Sequence, residues 1–443
     1  MYCNVVCCPR SIKCCTFGTI LVEILPVQPK IMDGKNTKTF QKKTLFNDPV
    51  YGFIKFPHDF LYTIIDHPYF QRLRRIRQLG LTDYVYPGAV HTRFNHCLGA
   101  LHLTTMTIET LRSKGVEISE EESEALSLAI LLHDIGHGPF SHALERMILP
   151  FGHEQISLAI MHLLNEEFAG KLELAVRIFA NEYHRPFFHE LVAGQLDMDR
   201  MDFLHRDSFY TGVVEGKIGY GRLINMLNVR EEHLVVEEKG LHTVEQFLMA
   251  RRLMYWQVYL HKTALAAEKM LQTVLNYLFT MPEIQMQALI PEPLRLFFAE
   301  YEASKSLKVI PAETIRRFLT LDDVDVTNLL KCLAKSEPGV PSMLSKGILN
   351  RKLFKILEQD HPFDPAEISE VRQMVTENLG LEQSGLLDFL VISGNESSTI
   401  YKGGESEIRI LSKNGEVKPL GSFPEVHIQP AKTTRYYLIY PKR

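Results

Sequence analysis

The stretch Leu131-Leu132-His133-Asp134-Ile135-Gly136-His137-Gly138-Pro139-Phe140-Ser141-His142 constrains the chain more than any other. An apolar run, Ala125 to Leu132, drives straight into the pair His133-Asp134. Gly136, Gly138 and Pro139 then interrupt any helix, and His137 and His142 follow. An imidazole beside a carboxylate at the end of a buried run is costly to desolvate unless something compensates. A hydrogen bond between the two at a helix end is one compensation. A divalent metal is the other, because neutral imidazole nitrogen and carboxylate oxygen are both good ligands. A lone His-Asp pair favours the first. Three histidines on a glycine-broken segment favour the second.

Size and charge bound the rest. The 443 residues suffice for two or three domains. Net charge is −4, which gives no bulk case for binding nucleic acid or a membrane surface. No apolar segment reaches the ~18 residues of a membrane-spanning helix. Five of the seven cysteines lie in the first fifteen residues, leaving Cys97 and Cys332 isolated in the body. Such a body suits a reducing compartment, so a cytoplasmic location is expected. Residues 1–47 read as an N-terminal extension. Its cysteines lack the paired spacing of a metal knuckle, and Glu23 and the prolines spoil a signal segment. Residues 1–31 therefore read as an over-extended start, with Met32 as initiator.

Along the chain, residues 58–79 suggest a helix broken at Pro68. Its second piece carries Arg72, Arg74, Arg75 and Arg77, either as a solvated face or as a phosphate-holding cluster. A helix is expected from His91 to Ser113, with Arg93 and His96 on one face. Ser119 and Glu122 form a capping box for the helix that delivers His133 and Asp134. Another helix is expected after Pro139, with His142 and Glu145 three apart, and another from Gly152-His153. Residues 188–207 suggest one helix, whose mixed charge run Asp197 to Asp207 would by itself be a salt-bridged solvated face. A single long helix is expected from Val244 to Phe279, and further helices over 283–375. From Leu386 the pattern changes to strands at 387–393, 407–411 and 434–440, with Asn414-Gly415 as a hairpin turn.

His96, His133, Asp134 and Asp199 each lie on or at the end of an expected helix and make a credible shell for one divalent ion. Such a site lowers the pKa of bound water and polarises a phosphoryl oxygen. Phosphoryl hydrolysis also needs cations around the non-bridging oxygens, for which Arg93, Arg200, Arg206 and Arg251 are available. A proton donor could come from His137, His142 or His153.

With this H…HD…D order the sequence resembles the HD-domain phosphohydrolases, and within them the deoxynucleoside triphosphate triphosphohydrolases of the SAM- and HD-domain type. The matching segments are Asp66 to Arg74, Gln78-Leu79-Gly80, Tyr86 to Ala89, Arg93 to Gly99, His133 to His142, His153-Glu154 and Asp199 to Asp207. The resemblance covers about residues 48–280 and implies an HD helical bundle there; beyond it the residue pattern suggests a helical extension over 281–380 and a small α/β lobe over 381–443, for a mostly α fold. The resemblance implies His96, His133, Asp134 and Asp199 as ligands of one divalent ion per subunit (Mn, Fe, Zn, Mg or Ni). It implies His137, Glu145 and His153 as a catalytic relay, with His142 lining the pocket. Arg93, Arg200 and Arg251 would grip a triphosphate. Gln78, Leu79 and Asp207 would contact the deoxyribose, with Phe203 and Tyr259 nearby. Asp66, Gln71 and Arg74 match positions that read a GTP or dGTP activator between subunits of a dimer or tetramer.

The chain departs from that pattern in three places. Phe203 stands where the family usually has Tyr, which puts discrimination against ribose in question. Arg200 replaces a lysine, and Leu260 replaces a polar contact. The expected activity is hydrolysis of a deoxynucleoside triphosphate to deoxynucleoside and triphosphate. The alternatives are a nucleotidase or phosphodiesterase for another nucleotide, and a nucleotide-binding regulator with little turnover.

Overall fold

A computed structural model describes residues 45–282, 289–292, 294–380, 384–399, 407–424 and 432–442, with the single positions 285, 401 and 426. The N-terminal cysteines and the expected start at Met32 lie outside the described residues. Asp48 accepts from the amides of Val50 and Tyr51 and turns β1 (Phe46–Asp48) into β2 (Gly52–Ile54). The expected break at Pro68 separates α1 (Asp59–Asp66) from α2 (Pro68–Gln71), which tightens into a 3-10 turn, Arg72–Arg75.

That turn does not carry a uniform solvated face. Arg72 is fully buried and donates to the carbonyls of Leu321 (2.6 Å) and His137 (2.8 Å). Burial lowers its pKa to about 10, opposed by Asp322 and Asp323, so the guanidinium stays charged at neutral pH. Arg75 pairs with Asp322 and Arg77 with Asp83. Arg72 thus ties the segment after the His-Asp pair to the helical extension. Arg72→Met should destabilise the protein by about 2–4 kcal/mol by leaving buried carbonyls unpaired, read as a lowered urea midpoint.

The bundle core is α3 (Arg93–Ser113), α4 (Glu120–Leu132) and the helices packed on them. The Ser119–Glu122 capping box forms as expected, with reciprocal bonds of 3.1 and 2.8 Å. After α4, Phe140 and Ser141 take left-handed backbone and only one 3-10 turn follows, Ser141–Leu144, in place of the expected helix. Long-range contacts hold this bend: Phe140 N donates to Asp323 (2.7 Å) and the Ser141 hydroxyl to the Arg77 carbonyl (2.6 Å). Then come α5 (His153–Glu167), α6 (Glu173–Phe179), α7 (Pro186–Ala193) and α8 (Met198–Thr211). The helix expected over 188–207 is therefore two. Gly194 is extended, and Asp197 restarts the chain by accepting from the Arg200 amide at 2.7 Å.

Next are α9 (Tyr220–Met226), the hairpin β3 (Leu227–Arg230) and β4 (His233–Glu237), α10 (Leu241–Met254) and α11 (Lys262–Phe279). The single helix expected over Val244–Phe279 is interrupted by a π turn, Tyr255–Tyr259, where the Leu260 amide donates back to Tyr255 at 2.8 Å. The helix then restarts at His261, which is extended and whose Nδ1 accepts from the Thr263 amide at 3.2 Å, an N-cap that the flanking apolar spacing masks. In α11, burial raises the Glu268 carboxyl to about 7, with Glu396 adding to the effect and Lys269 opposing it. A carboxyl raised on folding favours the folded state below the unfolded pKa and loses that advantage as pH rises to about 7. Glu268→Gln should therefore raise Tm at pH 8 and leave it nearly unchanged at pH 4.

The extension contains α12 (Leu294–Ser304), α13 (Ala312–Phe318), α14 (Asp323–Lys335), α15 (Val340–Leu349), β5 (Lys355–Gln359) and α16 (Pro365–Leu379). Beyond it, residues 387–390 form a helical turn, not the expected strand start, and β6 (Ile392–Thr399), β7 (Arg409–Leu411), β8 (Val417–Pro419) and β9 (Lys432–Tyr440) follow. Asn414-Gly415 turns β7 into β8, with Gly415 left-handed. The C-terminal strands enter two sheets. β9 lies between β5 and β6, while β7 joins β4 in parallel, so the core hairpin continues into β7 and β8. The fold is mostly α with small sheets toward its C-terminal region. No helix among the described residues is long and apolar enough to cross a membrane.

Candidate metal centre and active site

Three helices meet at one point. α3 supplies His96, the end of α4 supplies His133 and Asp134, and the first turn of α8 supplies Asp199. His96 Nε2 lies 3.2 Å from His133 Nε2 and 3.0 Å from Asp199 Oδ1, and His133 Nε2 lies 3.4 Å from Asp199 Oδ1. Asp134 reaches to 3.4 Å from His96 and 3.5 Å from His133. His96, His133 and Asp199 converge tightly enough to share one ion, while both Asp134 oxygens also meet other groups, Oδ2 the Arg93 guanidinium and Oδ1 His137 Nε2 at 3.2 Å. His96 Nδ1 donates to Asp202 (2.7 Å) and His133 Nδ1 to the Ile130 carbonyl (2.6 Å), which directs both Nε2 lone pairs inward. This donor set fits a divalent cation with open positions.

The electrostatics agree. Burial pulls the His96 imidazole down, but Asp199 and Asp202 outweigh it and raise its pKa to about 10. Burial pushes Asp199 up, yet His133 and His96 hold it well below the usual carboxylate range. Asp134 is likewise raised by burial and brought well down by Arg93, His133 and His137. Without a cation the centre gathers protons onto imidazoles that a cation would replace.

A second cluster sits beside it. A Cβ on Gly136 would collide with the His153 carbonyl and the Ser157 amide, so glycine lets the start of α5 close on the loop. His153 then stacks on His137 with centroids 4.0 Å apart. Glu145 accepts from His142 Nδ1 and His153 Nδ1, both at 2.8 Å. Burial would raise Glu145, but His142 and His153 hold it well below the ordinary range, so it is ionised. Burial and the Arg93 guanidinium keep His137 neutral. Arg93 pairs with Asp134 and donates to Ser141 at 2.8 Å, so it stands between the two clusters.

The chain's relatives accord with this geometry. The HD domain family model matches residues 93–207, and the HD associated region matches 218–291. A crystal structure of a phosphohydrolase from Bacteroides thetaiotaomicron superposes with a TM-score of 0.83 at 42% identity, over 90% of this chain and 100% of that one. The chain belongs to the HD-domain phosphohydrolases. An uncharacterised Mycoplasma genitalium protein is 32% identical over 413 residues, 86% of this chain and 93% of that protein. The deoxynucleoside triphosphate triphosphohydrolase SAMHD1 of Danio rerio is 30% identical over 289 residues, 55% of this chain and 46% of that protein.

In this HD phosphohydrolase, α8 orders the remaining expected residues. Asp207 accepts from Tyr259 (2.8 Å) and from His91 (2.7 Å), both within a buried network. Phe203 lies between, its ring centroid 5.9 Å from Tyr259 and 6.5 Å from His96. Leu79 is half-buried against the core. Gln78 Oε1, His91 Nδ1 and Arg251 Nε are buried with no hydrogen-bond partner among the described residues, as groups awaiting a ligand would be. Arg200 pairs with Asp197 and the Gly194 carbonyl. On the turn after α2, Arg74 donates to Gln71 (2.8 Å) and lies over Phe94, with Asp66 on the adjoining helix.

Sequence reasoning missed Asp202 and His91 and misassigned Arg206. Arg206 is buried in a two-point pair with Asp202 and a third bond to Asp48 (2.8 Å), so it supports His96 and is not offered to a phosphate. Gly99 makes this possible, since a Cβ there would strike Asp202 and Arg206. The spacing of His96 and Asp202 carries no local signal; only the contact of α3 with α8 joins them. Asp202→Ala should weaken metal retention about 10–100-fold, as measured by chelator competition.

Proposed function

We propose that the enzyme hydrolyses deoxynucleoside triphosphates to a deoxynucleoside and inorganic triphosphate, with a divalent cation held by His96, His133, Asp134 and Asp199. The observation that carries this reading is the order of groups along α8: Arg200 and Asp199 in its first turn, then Phe203, then Asp207 with Tyr259. A nucleotide laid along the helix would have its sugar at Asp207 and its phosphates at Asp199 and Arg200. The cation, when bound, supplies a polarised phosphoryl oxygen and an acidified water. Arg93, Arg200 and Arg251 balance the phosphate charge. Neutral His137 and the Glu145-oriented His153 move the proton, the latter toward the leaving O5′. His142, exposed and held by Glu145, lines the entrance.

Asp66, Gln71 and Arg74 would read a GTP or dGTP activator in a homodimer or homotetramer. Under that reading, Asp66→Ala removes stimulation by GTP. Phe203 supports a second reading. The Phe203 ring has no hydroxyl to donate to a phosphate, so on this reading another nucleotide, including a ribonucleotide, would be accepted. One assay separates the readings: each dNTP and NTP incubated with Mn or Mg, with and without GTP or dGTP, and the products resolved. Triphosphate with deoxynucleoside supports the first reading. Turnover of NTPs, or release of single phosphates, supports the second, and a metal-loaded protein that turns over nothing would be a nucleotide-binding regulator.

A further inference from the structure

The order of groups along α8 leaves one large space unused. Asp207 and Arg200 are seven residues apart, about 10 Å of helix. Beyond Arg200 and Arg251, away from Asp207, a cleft of about 810 Å³ opens between α7, β4 and the strands β6 and β7. None of the four metal-site residues lines it, nor do His137 and His153. Its volume lies in the upper range of small-molecule sites, ~300–1,000 Å³, and exceeds what a terminal phosphate would fill.

The lining is polarised. Arg251, whose Nε has no partner, and Arg200 stand at the end nearest the metal centre. Arg200 is held by Asp197 and the Gly194 carbonyl, and His233 and Arg409 both meet Glu190, at 2.8 and 3.0 Å. Tyr255 lies with Arg200 and Arg251, its ring 5.7 Å from the Arg251 guanidinium, and the rest of the cleft offers the Asn181 amide, the Tyr183 ring, the hydroxyls of Ser397 and Thr399 and the Glu407 carboxylate, which accepts from the Gly421 amide at 3.0 Å. Two guanidiniums beside an aromatic ring, with a second ring and hydrogen-bonding groups along the remaining wall, suit a nucleoside phosphate.

We propose that this cleft seats a second nucleoside esterified to the terminal phosphate, so that the enzyme accepts dinucleoside triphosphates. The inference rests on the proposed triphosphohydrolase reading. Water adds to the phosphorus that bears the deoxynucleoside, and the bond from that phosphorus to O5′ breaks. One water proton ends on O5′ and the other leaves to solvent. The products are a deoxynucleoside and a nucleoside 5′-triphosphate.

The test compares dATP with P1-(2′-deoxyadenosine-5′) P3-(adenosine-5′) triphosphate on the metal-loaded enzyme, at initial rates. Ser397, exposed on the cleft wall, is replaced by Trp to fill the space, with Thr399→Trp as a second variant. The expected result is deoxyadenosine and ATP from the mixed substrate, at a kcat/KM within tenfold of dATP. Either variant should lower that value tenfold or more while dATP turnover stays unchanged, which also reports that the variant is folded. Cleavage of dATP alone, or an equal loss on both substrates, overturns the inference and leaves the triphosphohydrolase reading standing. Cleavage of the mixed substrate alone supports the cleft and sinks that reading as written. Cleavage of neither overturns both.

Discussion

Asp134→Ala should lose bound metal and turnover together. Asp134 approaches both ligand histidines and pairs with Arg93, so its removal takes away a ligand and leaves a buried guanidinium without its carboxylate. Replacing an outer partner of a ligand costs about 10–100-fold in metal affinity, and removing a ligand should cost more. Metal content per chain after gel filtration, read beside activity on dATP, checks this. Turnover that survives in metal-free Asp134→Ala protein would remove the metal from the account.

His153→Ala should do the opposite to the pair of readouts, leaving metal content intact and lowering kcat by ~10²–10⁴. The Glu145 carboxylate orients His153 at 2.8 Å, and His137 stacks on it at 4.0 Å, yet none of these three is placed as a ligand in the first cluster. Glu145→Gln should fall on the same side, with a smaller loss, because an amide still accepts from one imidazole. Loss of metal from His153→Ala would merge the two clusters into one site and contradict the division of labour between them.

The proposed metal donors each carry a local signature, a His or Asp at the end of an apolar run or in a helix's first turn, and the fold brings His96, His133 and Asp199 of them within reach of one ion. Asp202 and His91 carry none, because their roles exist only across the contacts α3–α8 and His91–Asp207, far apart in sequence. The mixed charge run on α8 shows the same limit. Its Arg206 and Asp202 look like a solvated pair by spacing, yet the fold buries both completely beneath His96. Helix continuity differs from expectation where the local signal is weak beside the tertiary one. The cap at His261 after the π turn Tyr255–Tyr259 sits between two apolar helical stretches, and the bend at Phe140-Ser141 is held by Asp323 and Arg77. Arg72 failed for the opposite reason. Four neighbouring arginines suggest one face, but tertiary packing gives each a different partner.

The central claim is that the cluster at His96, His133, Asp134 and Asp199 directs water to the phosphorus next to the sugar. Hydrolysis of dATP in ¹⁸O-enriched water, with the products separated by mass, tests this most directly. The account predicts one heavy oxygen in inorganic triphosphate and none in deoxyadenosine. Label in deoxyadenosine, or in orthophosphate or pyrophosphate released as the first product, would contradict it.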